Sequence, residues 1–216
     1  MSQDMLRRRG LLAALGAAAG ALAIGTRRVA AQVVATTFRP AVHEQDQWLD
    51  KLTGKHRVVV DVTSAVGVTD MLRFVNNIYE GNRTGYGVEQ SDLATVVILR
   101  HSATSFGYSD ILWAKYGKGL SDATSFAIPA GGEVPKTNPY YTAAALEGLV
   151  KRGVQFGVCA TASRAISRRL AGSGGDAEAI FKELVANLNP SSRIVPAGVI
   201  AMTRAQEYGY SVLHVG

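Results

Sequence analysis

Cys159 is the single cysteine of the 216-residue chain. It follows the apolar run 154–158 (VQFGV) and precedes 161–170, which reads as a helix. A thiol placed where a strand meets a helix N-terminus faces unpaired amide groups and the positive end of the helix dipole. Both favour a thiolate, the nucleophilic form of cysteine. Arg164 and Arg168 lie further along the same helix, where they can also point away from the sulfur. The competing reading is a small, buried, inert side chain, a common fate of free cysteine. Arg100-His101 follows a second apolar run, 94–99 (ATVVIL). The pair could bind an anion or protonate a leaving thiolate. It could equally be a surface arginine beside a packing histidine. Thr161, two residues past Cys159, is the remaining candidate contact. A Cys-His hydrolase would need oxyanion donors and an acyl-transfer signature, and neither is visible around Cys159.

Other chemistries are excluded by what is missing. One cysteine permits no intrachain disulfide and no zinc site built on several thiolates. His43, His56, His101 and His214 are widely spaced, without HxH or HExxH, so no metal site is expected. The turn 61–68 (DVTSAVGV) has a single glycine and lacks both GxGxxG and GK[ST]. A dinucleotide enzyme or NTPase is therefore disfavoured, and no cofactor is expected.

The elements that must position these residues alternate. Strands are expected at 56–62, from its continuous β-branched core, and at the short apolar segments 94–99, 154–158, 194–195 and 210–215. Helices are expected at 69–80, with Leu72, Val75 and Tyr79 inward, at 107–116, 140–151, 161–170, after Asp176, and at 197–208. A short helix over 44–52 belongs to an N-terminal arm, 32–54. The turn cluster 81–87 should end the first long helix, and 117–139, with four Gly and three Pro, reads as a long loop. Strands alternating with helices imply an α/β fold with a parallel sheet covered on both faces. Ligands in such sheets bind beyond the carboxyl ends of the strands, where Arg100-His101 and Cys159–Thr161 fall.

Residues 1–31 read as an export signal. Arg7-Arg8-Arg9 precedes an Ala/Gly/Leu run without charge, and Val29-Ala30-Ala31 forms a small-residue cleavage box. Arg8-Arg9-Gly10-Leu11-Leu12 resembles a twin-arginine (Tat) motif. The apolar run is too short to span a bilayer comfortably, so no stable membrane anchor is expected after cleavage. The formal net charge of +6 would suit nucleic acid, but five arginines and one aspartate leave with the signal. The tryptophans and tyrosines are not interleaved with a basic patch, and no nucleic-acid partner is expected.

Segment 154–161 (VQFGVCAT) with its following helix, and 194–209 (IVPAGVIAMTRAQEYG) with a final strand, together resemble the DsrE/DsrF-like family. Segment 100–116 (RHSATSFGYSDILWAKY) resembles the exported members, which pair a Tat signal with a DsrE-like domain. The resemblance covers 55–216. It implies a three-layer α/β/α sandwich with a mainly parallel sheet of about five strands. It also implies homotrimers or homohexamers, whose interface would take up aromatic surface such as Trp113 or the loop 117–139. In the family, a cysteine matching Cys159 carries sulfur as a persulfide. The chain would then be a periplasmic or otherwise exported sulfur carrier. It would take sulfane sulfur from a donor bound by Arg100, His101 and Thr161 and pass it to a thiol acceptor protein. The alternatives are a non-catalytic oligomeric binding protein and a thiol redox sensor.

Overall fold

Continuous β-branched runs become strands only where both faces are covered, and this chain covers both. The computed structural model describes residues 39–126, 128 and 130–216. Pro40–Gly216 forms one unit. The export signal expected over 1–31 and the start of the arm lie outside the described residues. Five strands, β1 (His56–Val62), β2 (Leu93–Leu99), β3 (Gln155–Cys159), β4 (Ser192–Val195) and β5 (Ser211–Val215), pair in parallel in the order β4-β3-β2-β1-β5. The helices are α1 (Ala65–Tyr86), α2 (Asp110–Thr124), α3 (Leu146–Lys151), α4 (Ala160–Ala171), α5 (Ala177–Ala186) and α6 (Gly198–Glu207).

The strand order decides which face each helix covers. From β1 to β4 the chain always steps the same way across the sheet. Right-handed crossovers therefore place α1 to α5 on one face. There Val60, Val62, Val97, Leu99 and Val158 pack with Met71, Leu112, Leu149, Ile166 and Leu184. The step from β4 back to β5 crosses the other way, so α6 lies on the opposite face. It covers Val59, Val96 and Ile98 with Ala201, Met202 and Ala205, helped by Leu49. The result is a three-layer α/β/α sandwich with an all-parallel sheet.

Several element boundaries differ from the sequence expectation. α1 starts at Ala65, capped by the Ser64 hydroxyl on the Gly67 N–H (2.9 Å), and runs through the expected turn cluster to Tyr86. The Arg83–Glu80 pair and the Thr84 hydroxyl on the Glu80 carbonyl support that extension. Its buried stripe is Val68, Met71, Val75 and Tyr79, with Leu72 only half-buried. Residues 101–107 form 3-10 turns, and α2 begins at Asp110. It continues to Thr124, so the first part of the expected loop is helical. Gly117 does not break it, because this glycine marks the point where the Pro135 carbonyl packs against the helix. The helix expected over 140–151 is reduced to Leu146–Lys151. The Asn138 amide donates to the carbonyls of Phe106 (2.7 Å) and Tyr108 (2.9 Å) and accepts the Tyr140 N–H (3.0 Å), pinning the preceding turn. The arm helix is instead a 3-10 segment, Glu44–Leu49.

Trp113 is not available as subunit-contact surface. It is fully buried, stacks 5.9 Å from Phe106 and donates its indole N–H to the Ser105 carbonyl at 3.2 Å. Its neighbour Ile111, also placed in that helix, is 64% exposed. No described helix is long and apolar enough to cross a membrane.

Candidate functional site

In the parallel register Val62 sits beside Leu99, Leu99 beside Val158 and Cys159 beside Val195. The carboxyl ends of β1 to β4 therefore finish on one line. From β3 the chain leaves into α4 on one face; from β4 it leaves into α6 on the other. Between those two exits the sheet opens, the topological switch point at which α/β sheets bind ligands. A cleft of about 400 Å³ lies there, lined among others by Arg100, His101, Cys159, Thr161 and Gly198. That volume falls within the ~300–1,000 Å³ of small-molecule sites.

Cys159 ends β3 and caps α4, and is 6% exposed. Its Sγ accepts the N–H of Ala162 at 3.4 Å and the N–H of Gly198 at 3.2 Å. These donors open two different helices, so two dipoles converge on one sulfur and favour negative charge there. The Ser163 hydroxyl donates to the Cys159 carbonyl (2.9 Å) and accepts from the Tyr108 hydroxyl (2.7 Å). Burial, ahead of every other cause, pushes the Tyr108 hydroxyl far above its ordinary value of 10, so it remains a donor. Gly198, Ser163 and Tyr108 are site residues that sequence reasoning missed. The first lay within the segment 194–209, but nothing in its type announced a bond to sulfur.

No family model and no curated protein matches the chain. A solved protein of unknown function from Methanobacterium thermoautotrophicum is similar over 74% of this chain and 98% of its own, with 16% identity and a TM-score of 0.42.

Arg100 is committed rather than free. Its Nε and Nη2 donate to the two carboxylate oxygens of Asp61 at 2.6 and 2.7 Å. Asp61 lies in β1 on the α6 face, directly beside His214 of β5, whose Nδ1 is 2.8 Å from Oδ2. Burial pushes the Asp61 carboxyl up, but the hydrogen bonds and charges of Arg100 and His214 together outweigh it and hold the group below its ordinary 3.8. The hydrogen bond to Asp61 in turn raises Arg100, to which the nearby Cys159 adds a smaller effect. The stem of Arg100 runs over Gly198. A Cβ on residue 198 would stand 2.5 Å from Arg100 Cβ and 2.9 Å from its Cδ. One glycine thus allows the arginine to pass and brings its own N–H to the sulfur. Gly198→Ala should lower stability by about 1–3 kcal/mol, seen as a lower urea midpoint with unchanged slope. An unchanged midpoint would mean that the stem moves aside freely.

His101 adopts the left-handed region (φ 53°), which is uncommon for a residue with a side chain, although histidine is enriched there. Its exposed ring lines the cleft, with Nδ1 3.1 Å from the Ser102 hydroxyl. Thr161 donates its hydroxyl to the Pro196 carbonyl at 3.2 Å and ties α4 to the β4–α6 turn. Arg164 points away, paired with Glu178 (2.9 Å) over the Phe181 ring. Arg169, further along α4, does line the cleft. Among the described residues no group of three or more His, Cys, Asp or Glu is placed to hold a metal ion.

Proposed function

We propose that the protein is an exported, DsrE-like sulfur carrier that holds sulfane sulfur on Cys159. The observation that carries this reading is the sulfur itself: two backbone N–H groups from two helix termini meet Sγ beside a ligand-sized cleft. In the loading step the Cys159 thiolate attacks the outer sulfur of a donor R–S–S⁻. The Sγ–S bond forms, the donor S–S bond breaks, and R–S⁻ departs. The product is Cys159–S–S⁻, and the charge count is unchanged. An acceptor thiolate then attacks the outer sulfur, takes it as its own persulfide and returns the Cys159 thiolate. Arg100 borders the path of the anionic donor, and His101 and Thr161 lie on the cleft wall. The reading also has the precursor leave through the Tat route, with cleavage behind Ala31, and the mature chain assemble as a homotrimer or homohexamer.

A binding protein with an inert thiol is favoured by one observation, the burial of Cys159. Intact mass separates the two. Native protein exposed to polysulfide or thiosulfate should gain about 32 Da per sulfur, removed by reductant, as only a thiolate is nucleophilic enough to take it. No gain under any donor, with alkylation only after denaturation, would favour the binding protein.

A further inference from the structure

One face of α4 runs along the cleft. Ala162, Ala165, Ile166 and Arg169 all line it, at i, i+3, i+4 and i+7, the spacing of one helical face. The near end of this stripe is Ala162, whose N–H holds Sγ. The far end is Arg169, about 10 Å along the axis at 1.5 Å per residue. Between them the wall is apolar.

Charge is distributed unevenly over that length. At the sulfur end, the positive charge of Arg100 is already matched by Asp61 through two short hydrogen bonds. At the far end, exposed Arg169 finds no acidic partner among the described residues, unlike Arg164 on the same helix, which is paired with Glu178. A ligand that fills the cleft therefore meets a sulfur nucleophile, then an apolar wall, then an uncompensated guanidinium. Thiosulfate carries its sulfonate directly on its sulfane sulfur and has no atoms to lie along the wall. With water taking roughly 30 Å³ per molecule, such a small dianion would leave most of the cleft hydrated.

From this arrangement we infer that the donor is a low-molecular-weight organic persulfide bearing a carboxylate remote from its sulfur. The persulfide reaches Cys159, the carbon chain lies on Ala165 and Ile166, and the carboxylate pairs with Arg169. The inference rests on the sulfur-carrier reading and adds its substrate class. The reaction balances as before: the donor S–S bond breaks, Sγ–S forms, and the organic thiolate leaves with both of its carboxylates unchanged when the donor is glutathione persulfide.

The test measures the rate of sulfur loading on the full mature chain by intact mass, at donor concentrations below saturation. Three probes are used: glutathione persulfide, its diethyl ester, and inorganic polysulfide. Arg169→Gln should slow loading from glutathione persulfide about three- to fivefold, the upper end of the range for one exposed ion pair. The ester should load the native chain as slowly as the acid loads the variant, and Arg169→Gln should slow it no further. Polysulfide should load both chains within a factor of about two, since it lacks the group that Arg169 would hold. Arg168→Gln, outside the cleft lining, should behave as the native chain. Equal rates for acid and ester, equal rates for native chain and Arg169→Gln, or an equal slowing with polysulfide or in Arg168→Gln, would overturn the inference while the carrier reading stands. Failure of every donor to load Cys159 would overturn the carrier reading, and this inference with it.

Discussion

Cys159→Ser should take up no sulfur from polysulfide, thiosulfate or an organic persulfide, under conditions in which the native chain gains mass. Cys159 is the only thiol in the sequence, and thioethers of methionine are poor nucleophiles, so no other side chain can replace it. The effect is therefore a complete loss of the adduct rather than a slowing. The fold should survive. A serine hydroxyl is slightly smaller, and it inherits two N–H donors, from Ala162 and Gly198, that satisfy its oxygen. The cost should stay below about 1.5 kcal/mol. Intact mass after donor treatment reads the first outcome, and the urea midpoint reads the second. An adduct on the serine variant would remove the carrier reading. A large loss of stability would indicate that the thiol is chiefly a packing element.

Asp61→Ala should be strongly destabilising, costing about 2–4 kcal/mol, somewhat less than the ~3–5 kcal/mol for breaking a fully buried pair because Arg100 is a quarter exposed. The variant strands the Arg100 guanidinium, which keeps its charge, and frees His214 from its partner across the β1–β5 pair. Asp61→Asn, which retains volume and one acceptor, should lose less. The pH dependence has a definite sign. The folded-state pKa of Asp61 lies below its ordinary 3.8, chiefly through Arg100 and His214 acting against burial. Its contribution is therefore fully present above 3.8 and is lost as pH falls through the lower folded value. The gap in unfolding free energy between native chain and Asp61→Ala should narrow below about pH 4. Denaturant titrations at pH 7 and pH 3 check this. A gap that stays constant into acid would show that the carboxylate's charge contributes nothing.

Part of this site can be read along the chain. A short, largely apolar run ending in Cys159, followed at once by a helix, locates a thiol at a helix N-terminus whatever the rest of the fold does, because both facts are local. The same holds for Arg100-His101 at the end of β2, and the alternation of such runs with helices suffices for an α/β sandwich. Local signals failed where other contacts overrode them. The glycines at 81, 85, 117 and 119 look like breakers, yet α1 continues through the first two on local Arg83–Glu80 and Thr84–Glu80 bonds, and α2 continues through the others where the Pro135 carbonyl and Leu170 pack against them. Tyr140 looks like the start of a helix, and Asn138 holds it in a turn instead.

Strand order has no local signature, and it decides the chemistry of the cleft. Placing β5 beside β1 brings His214 to Asp61, residues far apart in the chain. The same return step carries α6 to the opposite face of the sheet, which opens the crevice next to Cys159 and aims the Gly198 N–H at its sulfur. Arg100, legible as a free cation, is spent on Asp61, while Arg169, which nothing in the sequence distinguished from Arg164 or Arg168, is the one turned into the cleft. The residue types that could do chemistry were therefore set by the sequence along short stretches. Which of them face one another depends on crossover handedness and sheet order, properties of the whole chain that no window of residues contains.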